Sequence, residues 1–407
     1  MPSSQRILIY AELLSNIRQV SVGCTLPTPV STTTRATVAA DGKVLTVAHD
    51  GLSQSLQLPG VVASSSQLPV KSLGGNRLSW RLPLAALSTS RVLPTSEESV
   101  PWSATDLEQG SAVVCRTCKS TIVEAGTLQV WKDLPSENWA EMMEFWHCHK
   151  PQEHKHSNDD QHLTNRGYGA SSRIAAQPSV GFVDLTSFLL ADSDVLESSI
   201  LASAVTNKAG NEDNESNETA LFTSNILHCS SCKTQLGVRN DEASSISLFK
   251  WQVLVKQLNR NTSELSPTLA QCVSAMLLAT MARSGCSKSI LIPMKAQSGL
   301  SKSEDPRQSR GLQNIWVFNS NITFSSTEAP TSPVNAVKVF YRVVSQEEAD
   351  KMLEAMTSDV QDILLPSEAI TTIDELLNMS NGFVPESDRK FKEWTVGLLE
   401  KWNGKGG

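Results

Sequence analysis

The 407-residue chain lacks any run approaching the roughly 18 consecutive apolar residues of a membrane-spanning helix, which argues against a helical membrane protein. No secretory leader is expected either. The apolar stretch 7–10 is short, and Glu12 breaks it before it can lengthen. Excess positive charge is missing: the net charge is −7 and the pI about 5.6, so no direct nucleic-acid binding is expected. The motifs H-E-x-x-H, G-x-S-x-G and G-x-G-x-x-G are absent, and no internal repeat of fixed period is visible. What is present is a globular composition, 40% hydrophobic and 19% charged, long enough for two or three domains. With neither leader nor membrane span, the expected location is cytoplasmic and nuclear. Thiols stay reduced there, and paired cysteines read as metal ligands rather than disulfides.

The chain reads as mainly β with C-terminal α helices, an α+β organisation. Residues 1–105 form a β-rich region, with strand-like runs at 6–10, 36–40, 43–47 and 78–82. Asp41-Gly42 marks a hairpin turn, and Leu78, Trp80 and Leu82 alternate with period two. Short strands between turns rich in Ser, Thr, Pro and Gly predict an antiparallel β-sandwich or barrel. Residues 106–260 form a second, zinc-bound β domain with a polar insertion at 150–220. Residues 261–407 form an α+β region. In it, 268–281 predicts a helix with Leu269, Cys272, Val273 and Met276 on one face. Ser345 and Glu348 form a capping box, with Met352, Leu353, Met356 and Val360 following at helical spacing. A last helix is expected over 386–402, carrying Phe391, Trp394, Leu398, Leu399 and Trp402. The apolar faces of these helices either pack on their own domain or meet a partner groove.

Cys115-Arg116-Thr117-Cys118 and Cys229-Ser230-Ser231-Cys232 are two C-x-x-C turns. Each offers two thiolates on one tight turn, which suits two corners of a tetrahedron. Together they predict a closed structural zinc site with Cys115, Cys118, Cys229 and Cys232 as ligands; the competing readings are two unrelated pairs of buried thiols and, less favoured because neither pair sits in a clear βαβ pattern, a redox C-x-x-C. About 110 residues separate the pairs, far more than in a zinc finger, so the ion would join distant segments. Each pair is followed by a lysine, Lys119 or Lys233, whose ammonium would help to offset thiolate charge.

Trp146-His147-Cys148-His149 is a second feature, with three readings. Cys148 is a nucleophile activated by His147 or His149, or Cys148 and His149 bind a second metal, or Cys148 is a buried thiol. His154, His156 and His162 read as solvated loop residues. Cys24, Cys272 and Cys286 have no metal-ligand partners nearby in sequence and read as structural thiols.

The order of motifs is similar to that of a known family. Cys115 and Cys118 are followed by Leu134-Pro135-Ser136 with Trp139, then by Trp146 with Cys148-His149. Cys229, Cys232 and Leu236-Gly237 come next, and then Trp394-Thr395-Val396-Gly397-Leu398-Leu399. This arrangement, over about residues 110–400, resembles the ubiquitin-conjugating-enzyme-binding proteins with a HECT-like domain found in animals and fungi. The second knuckle also resembles the β-tent zinc fold of Yippee-type proteins, a binding fold. The family resemblance implies binding to a ubiquitin-conjugating enzyme, ubiquitin-ligase activity including self-ubiquitination, and cyclin binding. For some relatives it implies a link to the pre-mRNA cleavage and polyadenylation endonuclease, which a non-enzymatic adaptor or chaperone would hold. A true HECT ligase carries ubiquitin as a thioester on a cysteine near the end of its chain. This sequence has no cysteine after Cys286, so Cys148, within the shared W-x-C-H motif, is the candidate carrier.

Overall fold

In the computed structural model of the protein, the alternating Leu78, Trp80 and Leu82 all point inward from one strand, with Arg81 exposed between two of them. The structure describes residues 6–70, 75–85, 100–134, 175–202, 225–256, 266–294, 311–329, 332–355 and 359–403. The chain divides into two compact units. One comprises Met1–Ser99, Val273–Met294 and Asp305–Gly407; the other comprises Val100–Cys272 and Lys295–Glu304.

The first unit begins with β1 (Leu8–Leu14), β2 (Gln19–Thr25), β3 (Arg35–Val38), β4 (Val44–His49), β5 (Leu52–Gln57) and β6 (Arg77–Pro83). Strands β3, β4 and β5 form a small antiparallel sheet. The Asp41-Gly42 turn lies where the sequence puts it, between β3 and β4. Gly42 takes a positive φ of 70°, and the Gly42 amide donates to the carbonyl of Ala39. Ile9 and Ala11 of β1, Val20 and Val22 of β2, and Trp80 of β6 share one core with Ala36, Leu45 and Val47 of the small sheet. This is the expected antiparallel sandwich, and among the described residues no sheet closes into a barrel.

The second unit contributes β7 (Ala112–Cys115), β8 (Thr121–Val123), β9 (Val130–Asp133), β10 (Val180–Val183), β11 (Ser187–Ala191), β12 (Ile200–Ala202), β13 (Asn225–Cys229), β14 (Gln235–Asn240), β15 (Ser245–Phe249) and β16 (Val253–Lys256). Seven of these make a sheet in the order β12-β13-β14-β15-β11-β10-β9, and β16-β7-β8 make a separate one. Phe188 is fully buried, stacked on Trp102 and tilted against Trp131. Beside it Lys250 is buried, donating to the carbonyls of Pro101 and Trp102 with its ammonium over the Phe188 ring. Gly237 allows β14 to lie close to β15, since a Cβ there would sit 2.0 Å from the Ser247 carbonyl oxygen.

The remainder of the chain supplies α1 (Leu269–Ser284), β17 (Lys288–Pro293), β18 (Leu312–Ser326), β19 (Val334–Val344), α2 (Gln346–Glu354), β20 (Val360–Leu365), α3 (Ser367–Asn381), β21 (Lys390–Phe391) and β22 (Trp394–Glu400). The main sheet of the first unit runs β21-β22-β19-β18-β1-β2-β6, with β17 between β18 and β20. Helix α1 matches the expected 268–281, burying Cys272, Val273 and Leu277 while Leu269 and Met276 are half-buried. Ser345 caps α2 by accepting the Glu348 amide at 3.1 Å, as the capping box predicts. That helix stops at Glu354, and Val360 opens a strand instead of continuing the helical face. Helix α3, which follows Pro366, has no counterpart in the sequence expectations.

The expected helix over 386–402 is not formed. Residues Glu386–Asp388 make one 3₁₀ turn, and Trp394–Glu400 is a strand paired with β19. Trp394 and Leu398 are four apart, a spacing that a helix and a strand share; Val396 between them is buried in the same core and settles the period at two. The β-branched Thr395 and Val396 and the flexible Gly397 also disfavour a helix. Gly397 admits helix α3, because a Cβ would lie 2.6 Å from Leu377 Cδ2.

Candidate metal centre

Two hairpins of the second unit carry the paired cysteines. Strand β7 ends at Cys115 and returns as β8; strand β13 ends at Cys229 and returns as β14. The turns have matching backbones. The amide of Lys119 donates to the Cys115 carbonyl at 2.9 Å, and that of Lys233 to the Cys229 carbonyl at 2.9 Å. The Cys115 amide reaches the Ser120 carbonyl and the Cys229 amide the Thr234 carbonyl, both at 2.8 Å. Lys119 and Lys233 have positive φ values of 64° and 62°. A tight four-residue reversal needs this left-handed step, which side chains with a Cβ adopt at some cost. The lysine ammoniums are turned to their own backbones: Lys119 Nζ donates to the Arg116 carbonyl and Lys233 Nζ to the Ser230 carbonyl. They close the turns by hydrogen bonding.

The four sulfurs converge. Cys115 Sγ lies 3.6 Å from Cys232 Sγ, and Cys118 Sγ lies 3.5 Å from Cys229 Sγ. All four lie within 4.8 Å of one another. A disulfide would need about 2.05 Å, and these are free cysteines. A tetrahedron with metal–sulfur distances of about 2.3 Å has edges of about 3.8 Å, so the cluster has the size that one ion requires. The four cysteines can therefore hold a metal ion.

Cys115 and Cys229 are buried, Cys232 is partly covered and Cys118 is exposed. Burial pushes the Cys115 thiol up to about 12, against the opposing pull of the Cys118 and Thr117 amides. Cys118 is drawn down to about 6, first by the Ser120 hydroxyl and then by the Ser120 amide. The Cys232 thiol is lowered by the hydroxyl and amide of Thr234 in the same manner. The outer sulfur of each knuckle is thus held in an anion-stabilising turn, which favours the thiolate that a metal needs.

Four further residues at this site escape the sequence reading. Ser120 Oγ lies 3.0 Å from Cys118 Sγ and 3.0 Å from Ser231 Oγ of the opposite knuckle. Thr234 Oγ1 lies 3.3 Å from Cys232 Sγ and 3.3 Å from Thr117 Oγ1 of the opposite knuckle. The signal for them is the short pattern C-x-[ST]-C-K-[ST], present once in each knuckle. The knuckles differ at Arg116, matched by Ser230. The Arg116 guanidinium donates to Ser266 Oγ and to the Pro267 carbonyl, tying the first knuckle to the segment that leads into α1.

Cys148, with His147 and His149, lies outside the described residues, as do His154, His156 and His162. Cys24 and Cys272 are buried, and burial pushes both thiols up to about 12. Cys286 is half-buried just beyond α1. Among the described residues, no helix is long and apolar enough to cross a membrane.

The family model described as HECT-like Ubiquitin-conjugating enzyme (E2)-binding matches residues 12–396. An uncharacterized protein of Schizosaccharomyces pombe is 26% identical over 332 residues, covering 78% of this chain and 82% of its own length. An uncharacterized protein of Saccharomyces cerevisiae is 24% identical over 330 residues, covering 79% of each. No solved structure matches the chain.

Proposed function

The chain belongs to the HECT-like ubiquitin-conjugating-enzyme (E2)-binding family, and on that premise we propose that it docks a ubiquitin-charged conjugating enzyme and promotes transfer by positioning. The family match over residues 12–396 carries this reading. The thiol inventory supports positioning over a covalent relay. Four of the eight cysteines gather in one cluster, and Cys24 and Cys272 are buried with raised pKa, which makes them poor nucleophiles. Within these 407 residues that leaves Cys148 and Cys286 to carry a thioester, of which Cys148 is the candidate that the family resemblance implies.

We assign the sulfur cluster to zinc. Four soft thiolates at tetrahedral spacing suit a closed structural zinc site with no open position for substrate. The ion would be held by Cys115, Cys118, Cys229 and Cys232 and would clamp two hairpins of the second unit. It contributes folding energy rather than chemistry.

The test mixes purified protein with charged conjugating enzymes and tracks loss of the enzyme–ubiquitin thioester on non-reducing gels. Positioning predicts discharge that survives in Cys148→Ala and in Cys286→Ala. A thiol-labile ubiquitin adduct that disappears in Cys148→Ala would replace positioning by a relay. Absence of both binding and discharge with every conjugating enzyme would favour the adaptor role, in which the cyclin or cleavage-endonuclease partnerships implied by the resemblance become the proposal.

A further inference from the structure

We propose that the metal-binding knuckles are locked by two crossed hydroxyl relays, Ser231–Ser120–Cys118 and Thr117–Thr234–Cys232, which set how long the ion is retained. The inference rests on the assignment of the sulfur cluster to a metal and concerns this chain's own residues.

The geometry is reciprocal. Ser120 stands two residues after the outer cysteine of the first knuckle and reaches Ser231 in the second. Thr234 stands two residues after the outer cysteine of the second knuckle and reaches Thr117 in the first. The same pair of contacts is thus made twice, in opposite directions.

Proton counting fixes the polarity when a metal is held. A metal-bound thiolate can only accept a hydrogen bond, whereas a hydroxyl has one proton to donate and lone pairs to accept with. In this structure Ser120 donates to Ser231, and Cys232 donates to Thr234, which donates to Thr117; beside a metal-bound thiolate the chains must turn, so that Ser120 gives its proton to Cys118 and its oxygen accepts the proton of Ser231. Thr234 likewise donates to Cys232 and accepts from Thr117. Each outer thiolate is stabilised by a donor chain that starts on the opposite knuckle. Charge-assisted bonds of this kind are stronger than neutral ones, and each donor polarises the next. Without metal, a protonated sulfur can donate to the hydroxyl and the chain loses its fixed direction. Ion capture and the joining of the knuckles are coupled through these four hydroxyls. Ser120, Thr234, Ser231 and Thr117 are positioning residues, since none is itself assigned as a ligand.

The test uses the full chain. Zinc release to an excess of a chromogenic chelator is timed for wild type, Ser120→Ala/Thr234→Val, and the far-donor pair Ser231→Ala/Thr117→Val. Ser120→Thr/Thr234→Ser keeps both hydroxyls and serves as the conservative control. Cobalt-substituted samples report the thiolates directly through their sulfur-to-metal charge-transfer band. Loss of outer-shell partners at metal sites typically costs about 10–100-fold in affinity. The expected result is release about tenfold faster in both hydroxyl-deleted pairs, a shifted charge-transfer band, and wild-type behaviour in the conservative control. Release at the wild-type rate with an unchanged cobalt band in both deleted pairs would overturn the relays while leaving the metal site intact. A wild-type chain that holds no zinc and takes up no cobalt would overturn the metal reading and the relays with it. If a deleted pair fails to fold, the cobalt band of Ser231→Ala alone decides, since that change leaves the first knuckle whole.

Discussion

The sulfurs of Cys118 and Cys229 lie 3.5 Å apart although 111 positions separate them in the chain. Cys118 belongs to a hairpin that starts in the three-stranded sheet and Cys229 to one that starts in the seven-stranded sheet. A contact of this kind closes a long loop, and the closure entropy has to be offset by strong local bonding. Four metal–sulfur bonds would do so.

Removing one ligand therefore has a large effect. Cys229→Ser is expected to lose the ion and to destabilise the second unit by several kcal/mol, on the order of the cost of removing a structural zinc ligand. Thermal unfolding with parallel metal analysis checks this. A chelator added to wild type should reproduce the same shift, and a mutant that melts normally with its metal gone would show the ion to be dispensable.

Backbone approach makes a second test. Gly237→Ala places a Cβ 2.0 Å from a backbone oxygen, whereas Gly397→Ala meets the end of Leu377 at 2.6 Å and Tyr341 ring atoms from 3.1 Å. A side chain can move more cheaply than a strand. Gly397→Ala should cost about 1–3 kcal/mol, the usual range for overpacking, and Gly237→Ala more. Denaturant titrations of the two variants give the order directly; the reverse order would mean that β14 and β15 adjust more easily than α3.

Lys250 gives a pH signature. Burial lowers its pKa from the usual 10.5 to about 8. Below about pH 8 the lysine is charged in folded and unfolded chains alike, and the folded state bears the full cost of burying the charge. Between about 8 and 10.5 the folded protein sheds the proton while the unfolded chain keeps it, so stability rises with pH. The whole effect is on the order of 3 kcal/mol. Measured against Lys250→Met, which cannot titrate, wild type should gain stability across this window and stay level below it. A difference that is flat from neutral pH to about 10 would show that Lys250 titrates normally.

The pattern of these sites explains what sequence can and cannot show. Each C-x-x-C turn is local, so both are legible, and reduced thiols make a metal the natural reading. The hydroxyl contacts are not legible because Ser120 and Thr234 act across the fold on the other knuckle; only the repeated C-x-[ST]-C-K-[ST] hints at them. In β6, strict alternation of Leu78, Trp80 and Leu82 is unambiguous. In β22, Trp394 and Leu398 fit both periods, and pairing with β19 decides for the strand. Strand β1 lies beside β18 through Tyr10–Ser326 and neighbouring pairs, a long-range register that local pattern does not encode. Helix α3 escapes the sequence expectations although Ile373 and Leu377 make a helical i, i+4 pair in its buried face.

X-ray absorption at the zinc edge on purified protein tests the central claim most directly. The account predicts one zinc per chain with four sulfur neighbours at about 2.3 Å and no nitrogen or oxygen in the first coordination sphere. A chain without stoichiometric zinc, or a spectrum showing fewer than four sulfurs, would contradict it.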